Sequence, residues 1–294
     1  MPEETALSTD THTRDASHEG ATLHEGQSHG EHAHSLAAEP IAEIGGFEIT
    51  NALFTSWIVV VVILIIGIGV KRSVKEVPGT LQGFFELVIE SALGIVDSVT
   101  GDKEKSLRFF PIVFALFLFI LLNNWLGIIP GVGSIGYIAS VDGHDTFISF
   151  LRGGSADLNT TLALAIIGVV TSHIFGVIAV GAWKHFNKFV NIDALLAIPA
   201  QIKKDPTVLI VNPINVFVGL VEIIGEFAKV ASLSFRLFGN IFAGEVLLAS
   251  MSAILAFGLP LPFLFLEVLV GLIQAAIFAI LVLSYLTIHT SEGH

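Results

Sequence analysis

Ionisable side chains lie inside the long apolar segments of the last third of the sequence. A charge at membrane depth costs roughly 3 kcal/mol or more, so such residues usually have a functional role. The central one is Arg236, in ASLSFRLFGNIFAGEVLL, whose guanidinium stays charged and attracts an anionic group. The whole set comprises Glu222, Glu226, Lys229, Arg236, Glu245 and Glu267, together with the amides Asn240 and Gln274.

Helical periodicity divides these residues between faces. Asn240 lies four residues after Arg236 and shares its face. Glu222 lies fourteen residues before Arg236, close to four turns, and is therefore near the same face. Glu245 lies nine residues after Arg236, about half a turn round, so we expect it to face elsewhere.

Glu245 and Glu267 are predicted to meet across a helical hairpin. The sequence GLPLP at 258–262 is typical of a turn that would fold the last two helices together. Two carboxyl groups in one site of low dielectric constant can hold and release a proton, as an aqueous access route requires. Gln274 lies seven residues after Glu267, on the same helix face.

Structural roles are the alternatives. Arg236 could pair with one glutamate of the chain, and Glu222, Glu226 and Lys229 could form an ordinary ion-paired helix face. Polar residues of the earlier spans are more often satisfied packing groups than members of a pathway. These residues are Asn123, Asn124 and His173.

Composition predicts an all-α integral membrane protein. Hydrophobic residues make up 53% of the chain and charged residues 14%, whereas soluble domains average about a quarter charged. Cysteine is absent, which excludes thiolate chemistry. The net charge is −12, but residues 1–40 hold eight acids and one base, and no basic patch suggests nucleic acid.

About five transmembrane helices are predicted, because a hydrocarbon core of ~30 Å needs about 20 apolar residues. One further helix, 79–100, is amphipathic, with Glu86, Glu90 and Asp97 on one face. The predicted spans are 53–70, 109–129, 158–183, 213–257 and 263–288.

The segment 213–257 is about twice as long as a membrane crossing. It must either lie strongly tilted or break near Gly239 or Gly244. Small residues in this segment would allow another helix to approach closely. They are Ala231, Ser232, Ser234, Gly239, Ala243 and Gly244.

The contrast between a polar N-terminal segment and an apolar remainder predicts two domains. Residues 1–40 are predicted to be a disordered His/Glu-rich extramembrane tail, and residues 41–294 a helical membrane domain. The tail histidines could bind metal weakly or sense pH, although a solvated extension is the simpler interpretation. Ten basic residues on one side against Arg152 on the other predict the N-terminus outside and the C-terminus in the cytoplasm.

The segment SLSFRLFGNIFAGE (232–245) resembles the signature of subunit a from the membrane sector of F-type rotary ATP synthases. Four other segments are similar to the same family in the same order, so the resemblance covers about residues 47–290. They are NALFTSWI (51–58), NNWLGIIPG (123–131), SADLNTTLALA (155–165) and the final LVGLIQAAIFAILVLSYL.

The resemblance implies a non-catalytic, proton-translocating stator subunit of the bacterial plasma (inner) membrane. Its partners would be a ring of c subunits, the b-subunit peripheral stalk and the rest of the complex. Two offset half-channels would lead to the ring carboxylates, separated by the arginine that matches Arg236. The family's last two helices form a long tilted hairpin, which needs no break in 213–257.

The same resemblance implies roles for individual residues. Asn240 matches a polar neighbour of the ring contact, Glu245 and Glu267 match an outer half-channel pair that often holds Glu and His, and Gln274 matches a glutamine facing the arginine. Glu222 matches a position on the inner route. Accessory positions are Lys229, Asn123, Asn124 and Asp157.

The competing function is a secondary transporter that binds an anionic substrate at Arg236. Internal repeats, common in such folds, are not evident in the sequence. A simple structural anchor would explain neither the arginine nor the glutamate pair. We predict no catalytic residue, cofactor or metal, and the phosphate-binding pattern G-x-x-x-x-G-K-[ST] does not occur.

Overall fold

Seven α-helices make up most of the part of the chain that the structure describes. The computed structural model describes residues 38–77, 79–141, 144–190, 208–255 and 258–291. The only β structure within those ranges is a pair of two-stranded hairpins, so the predicted all-α class is confirmed. The helices are α1 (Asn51–Ser73), α2 (Thr80–Thr100), α3 (Lys103–Ile128), α4 (Leu158–Val180), α5 (Ala182–Val190), α6 (Val208–Ile254) and α7 (Pro260–Thr290).

Four of these helices, α1, α3, α4 and α7, are long and apolar enough to cross a membrane. Their apolar side chains are largely on the outside: in the most apolar window of α1, 17% of the residues are buried. An outward apolar surface of this length is stable only against lipid or other membrane helices. The chain is therefore a multi-pass membrane protein.

The fifth predicted span is α6, an unbroken helix of 47 residues. Its length is about 70 Å, more than twice the ~30 Å of a hydrocarbon core. The helix passes through Gly239 and Gly244 without the break considered above, and it begins at Val208, so Pro213 lies inside it. It packs against α7 after a turn at Gly258, whose φ of 95° is left-handed.

Helix α2 occupies the segment predicted to be amphipathic. Glu86 and Glu90 are exposed on it, whereas Val96 is buried against the rest of the bundle. The predicted tail, 1–40, falls almost entirely outside the described residues.

Two hairpins were missed in the sequence. Strands β1 (Pro40–Ile44) and β2 (Phe47–Thr50) pair in antiparallel fashion around Gly45 and Gly46, both with positive φ. Strands β3 (Gly136–Val141) and β4 (His144–Ser149) pair likewise in the connection between α3 and α4. Two-residue turns with positive φ favour such hairpins, and the double glycine was the available signal.

The core lies where α3, α4, α6 and α7 meet. Leu233, Leu237 and Ile241, one turn apart on α6, are all buried. Gly168 of α4 lies so close to Val282 of α7 that a β-carbon there would be 2.8 Å from Val282 Cγ2. Because one face of α6 is buried in this core, the neighbouring face with the arginine points outward.

Candidate functional site

Arg236 lies on the outer surface of the bundle, near the middle of α6. Its guanidinium is exposed, and Nη2 donates to Ser232 Oγ at 3.5 Å, one turn away on the same helix. None of the ion pairs between described residues includes Arg236. The alternative of a simple pair with a glutamate of this chain is therefore not what the structure shows, and the cation faces outward.

The surface around Arg236 is formed by small and polar side chains. Asn240 is exposed one turn further along α6, as predicted from the spacing. Gly239 and Ala243 are exposed beside it, and a β-carbon at Gly239 would meet no atom within 4 Å. A helix from outside could approach α6 closely at this strip.

The predicted small residues do not all belong to that strip. Ser234 is 1% exposed and shares a hydrogen bond of 3.2 Å with Thr161 of α4. Gly244 is buried, and a β-carbon there would overlap the carboxylate of Glu267. These two residues provide close packing inside the bundle rather than a surface for a partner.

A first polar cluster lies towards the C-terminal end of α6. The carboxylate of Glu267 on α7 lies against Gly244 of α6, the residue next to Glu245, so the two glutamates approach each other across the α6–α7 hairpin. Glu267 is 7% exposed, and its Oε1 is buried without a hydrogen-bond partner. A buried carboxylate oxygen that lacks a hydrogen-bond partner strongly favours binding a proton or a water molecule.

Arg152 completes this cluster and was missed in the sequence. Its Nη2 donates to Glu245 Oε2 at 3.0 Å and its Nε to the same oxygen at 3.3 Å. The arginine is 8% exposed, and its backbone N–H donates to Thr55 Oγ1 at 3.1 Å. The signal was available, because Arg152 is the one basic residue of the connection 131–157.

Replacing Gly244 with Ala should move the Glu267 carboxyl group and slow any proton transfer through this cluster. The added methyl group would occupy the space of the carboxylate, which ends a flexible side chain and can shift at a small cost in stability. Gly225→Ala is the matched control, since a β-carbon there meets nothing within 4 Å. Both changes raise helix propensity by ~1 kcal/mol. Equal conduction by the two variants in vesicles would contradict this placement of Glu267.

A second polar cluster lies towards the N-terminal end of α6. Lys229 Nζ binds Glu226 Oε1 at 2.7 Å, so the ion-paired helix face weighed in the sequence exists for these two residues. Lys229 also lies 5.1 Å from the ring centroid of Tyr285. Two histidines contact the same glutamate: His173 Nε2 at 3.3 Å and His289 Nε2 at 3.4 Å.

Other predicted residues have clear packing partners. Asn123 Nδ2 donates to Phe119 O at 3.0 Å, and its Oδ1 accepts from Ser56 at 3.3 Å. Asn124 Nδ2 donates to Gly271 O at 3.0 Å and so joins α3 to α7.

Three further predicted residues lie at the start of α4, on α6 and on α7. Asp157 caps α4, with Oδ2 accepting from the backbone N–H of Thr160 at 3.2 Å. Glu222 and Gln274 are half-buried on α6 and α7. Asp157 therefore has a structural role as the N-terminal cap of α4. Glu222 and Gln274 are exposed enough to contact water or a partner.

The two clusters lie on either side of Arg236 along α6. Glu226 is ten residues before it and Glu245 nine residues after it, or about 15 Å and about 14 Å along the helix axis. A permanent cation thus separates two groups of proton-binding side chains. Such an arrangement can pass protons at each end while preventing a direct route between them.

Comparison with known proteins decides the family. A family model described as the ATP synthase A chain matches residues 53–287. The chain belongs to this ATP synthase A chain family. It is accordingly a proton-translocating subunit of the membrane sector of an ATP synthase complex.

Individual relatives agree with the family match. The ATP synthase subunit a of Syntrophobacter fumaroxidans is 32% identical over 89% of this chain and 93% of its own length. The subunit a of Geotalea daltonii is 31% identical over 89% of this chain and 95% of its own length. For Geobacter sulfurreducens subunit a, identity is 31% over 83% of this chain and 89% of the relative.

Proposed function

We propose that this A-chain family member is the stator half of a rotary proton channel. The observation that carries the proposal is the position of Arg236, exposed on the outer face of α6 between two partly buried polar clusters. The anion it attracts must come from outside the chain, since none of the described ion pairs includes it. A carboxylate on a moving ring of c subunits fits this requirement.

The small residues next to Arg236 support a sliding partner. A rotating ring needs close approach without interlocking side chains, and Gly239, Asn240 and Ala243 leave such a surface exposed. Arg236 would keep each passing carboxylate ionised while it crosses the boundary between the channels. The proton could then not move directly from one channel to the other, and rotation would have to carry it.

The two clusters are the proposed ends of the half-channels. Glu245 and Glu267, with Arg152, would exchange protons on one side, and Glu222, Glu226 and Lys229 on the other. Gln274 of α7 would line the region opposite Arg236. Each proton crossing the field would supply ~2.3 kcal/mol per 100 mV, which the rotation would transmit to ATP synthesis.

The same proposal implies the membrane, the neighbouring subunits and the orientation of the chain. The chain would lie in the bacterial inner membrane beside the c ring and the b-subunit stalk, without catalytic residues of its own. The N-terminus would be outside and the C-terminus in the cytoplasm, because the basic residues concentrate on one side. The Glu245 cluster would then belong to the outer half-channel and the Glu226 cluster to the inner one.

Cysteine crosslinking tests the proposed ring contact. Asn240→Cys should crosslink to a cysteine on the c subunit in the assembled complex, because Asn240 is exposed beside Arg236. Leu237→Cys, three residues away but 1% exposed in the core, should not. Crosslinking from Leu237→Cys alone, or labelling of Asn240→Cys by lipid probes only, would contradict the proposal and favour a secondary transporter.

A further inference from the structure

We propose that His173, Glu226 and His289 form a binding site for a divalent transition-metal ion of the Zn²⁺ type. The three residues come from α4, α6 and α7, and one ligand atom from each lies within 4.8 Å of the others. We predicted no metal site from the sequence, because residues on three separate helices show no recognisable ligand spacing.

The distances between the donors suit a metal of this size. His173 Nε2 lies 3.3 Å from Glu226 Oε2, and His289 Nε2 lies 3.4 Å from Glu226 Oε1. Zn²⁺ binds nitrogen and oxygen at about 2.0–2.2 Å with tetrahedral geometry, which places neighbouring ligands roughly 3.3–3.6 Å apart. One donor atom of each residue lies within 4.8 Å of the others, so side-chain rotations that turn Glu226 Oε2 towards both histidines would form the site.

Unsatisfied buried atoms point into the same space. His289 is 3% exposed, and neither its Nε2 nor Glu226 Oε2 makes a hydrogen bond of good geometry within the described part of the chain, although each lies 3.3–3.4 Å from an atom of the other cluster side chains. Buried polar atoms are rarely left without a partner, so each such atom requires an explanation. A metal ion between them would satisfy both at once.

A hydrogen bond prepares His289 to be a ligand. Ser172 Oγ donates to Val169 O at 2.7 Å and lies 3.0 Å from His289 Nδ1. While the hydroxyl donates its one hydrogen to Val169 O, Nδ1–H of a neutral His289 donates to the hydroxyl oxygen, and in that tautomer Nε2 carries the lone pair. Metal-binding histidines are usually oriented in this way by a bond to the second nitrogen.

His173 has a comparable support. Its Nδ1 lies 3.1 Å from His185 Nε2, which leaves its Nε2 facing Glu226. Its side chain is 27% exposed, which gives an ion a route of entry. Both imidazoles of the proposed site are therefore held by contacts at the nitrogen away from the metal.

The donor set selects the class of ion. Two imidazoles and one carboxylate with an open fourth position suit Zn²⁺ and similar ions, whereas Ca²⁺ and Mg²⁺ prefer oxygen ligands throughout. Lys229 occupies Oε1 of Glu226, so the ion would use Oε2 while the lysine keeps its bond. The fourth ligand would be water.

The consequence for transport rests on the proposed function. An ion bound here would hold Glu226 and both histidines in place and so block proton transfer at this end of the bundle. Added Zn²⁺ should then inhibit proton conduction in wild type but not in His289→Gln. If conduction proves independent of Glu226, that inhibition would be absent, while direct metal binding would still be observed.

Direct binding of Co²⁺ and Zn²⁺ is measured on the purified complex that contains the full-length subunit. The six tail histidines, which could bind metal themselves, are first replaced with Gln: His12, His18, His24, His29, His32 and His34. We expect one Co²⁺ per chain with the intense visible absorption of four-coordinate cobalt, displaced by Zn²⁺. His173→Gln and His289→Gln should each remove this absorption.

Two further variants separate a metal site from simple packing. Ser172→Ala retains all three ligands but loses the bond to His289, and its Co²⁺ affinity should fall about 10- to 100-fold. Glu267→Gln, in the other cluster, should bind Co²⁺ as wild type does. Absence of the cobalt spectrum in the parent, or the same affinity in Ser172→Ala and His289→Gln as in the parent, would overturn the proposal.

Discussion

Replacing Arg236 with Ala is expected to abolish proton-driven ATP synthesis while the complex still assembles. The guanidinium is exposed, and its hydrogen bond to Ser232 in the described part of the chain is long at 3.5 Å, so its loss should cost little folding stability. Its removal would eliminate the charge that we propose stabilises a passing carboxylate and blocks direct proton passage. The measurement is ATP synthesis and passive proton leak in inverted vesicles, where synthesis should vanish and leak should rise.

Two comparisons make this result specific to Arg236. Arg236→Lys keeps a positive charge but loses the planar fork that binds a carboxylate through two hydrogen bonds, so it should also impair synthesis. Arg72→Ala removes an exposed cation at the end of α1 and should leave synthesis unchanged. Normal synthesis by an assembled Arg236→Ala complex would refute the proposed mechanism.

Replacing both Glu245 and Glu267 with Gln is expected to slow proton conduction by at least tenfold. A positioned carboxyl group typically contributes about 10²-fold or more to a proton transfer, and Gln cannot accept or release the proton. The two residues belong to one cluster, so we expect their effects to be non-additive. Passive proton flow through the membrane sector, freed of the soluble sector, provides the measurement.

The control for this pair is the double change Glu86→Gln and Glu90→Gln on α2. Both carboxyl groups are exposed and far in sequence from the cluster, so conduction should not change. Arg152→Gln provides a further comparison, because it removes the cation that binds Glu245 at 3.0 Å. Unchanged conduction in the Glu245 and Glu267 double variant would remove both residues from the pathway.

The helices could be predicted from the sequence because their signals are local. Apolar length alone placed α1, α3, α4 and α7 close to their observed bounds. Glycines at 239 and 244 raised the alternative of a broken α6, and the continuous helix decided against it. The hairpins were missed because strands of four to six residues have too little apolar pattern to stand out.

The residues of the site also divide into those predicted from local signals and those that depend on tertiary packing. Helical phase predicted Asn240 beside Arg236, and the turn predicted at 258–262 brought Glu245 towards Glu267, because each inference needs only one helix or one turn. In the structure the turn is shorter, and Pro260 already begins α7. Helical phase could not show whether the Arg236 face was buried against this chain or open. That depended on Leu233, Leu237 and the core they enter.

By itself, the sequence determined an all-α membrane protein with a charged residue at its centre and a carboxyl pair across its last hairpin. The tertiary structure alone decided that Arg236 faces outward, that Arg152 binds Glu245, and that histidines of α4 and α7 surround Glu226. The physical reason is distance along the chain. Arg152 and Glu245 are 93 residues apart, and no local periodicity records which side chains of separate helices will meet.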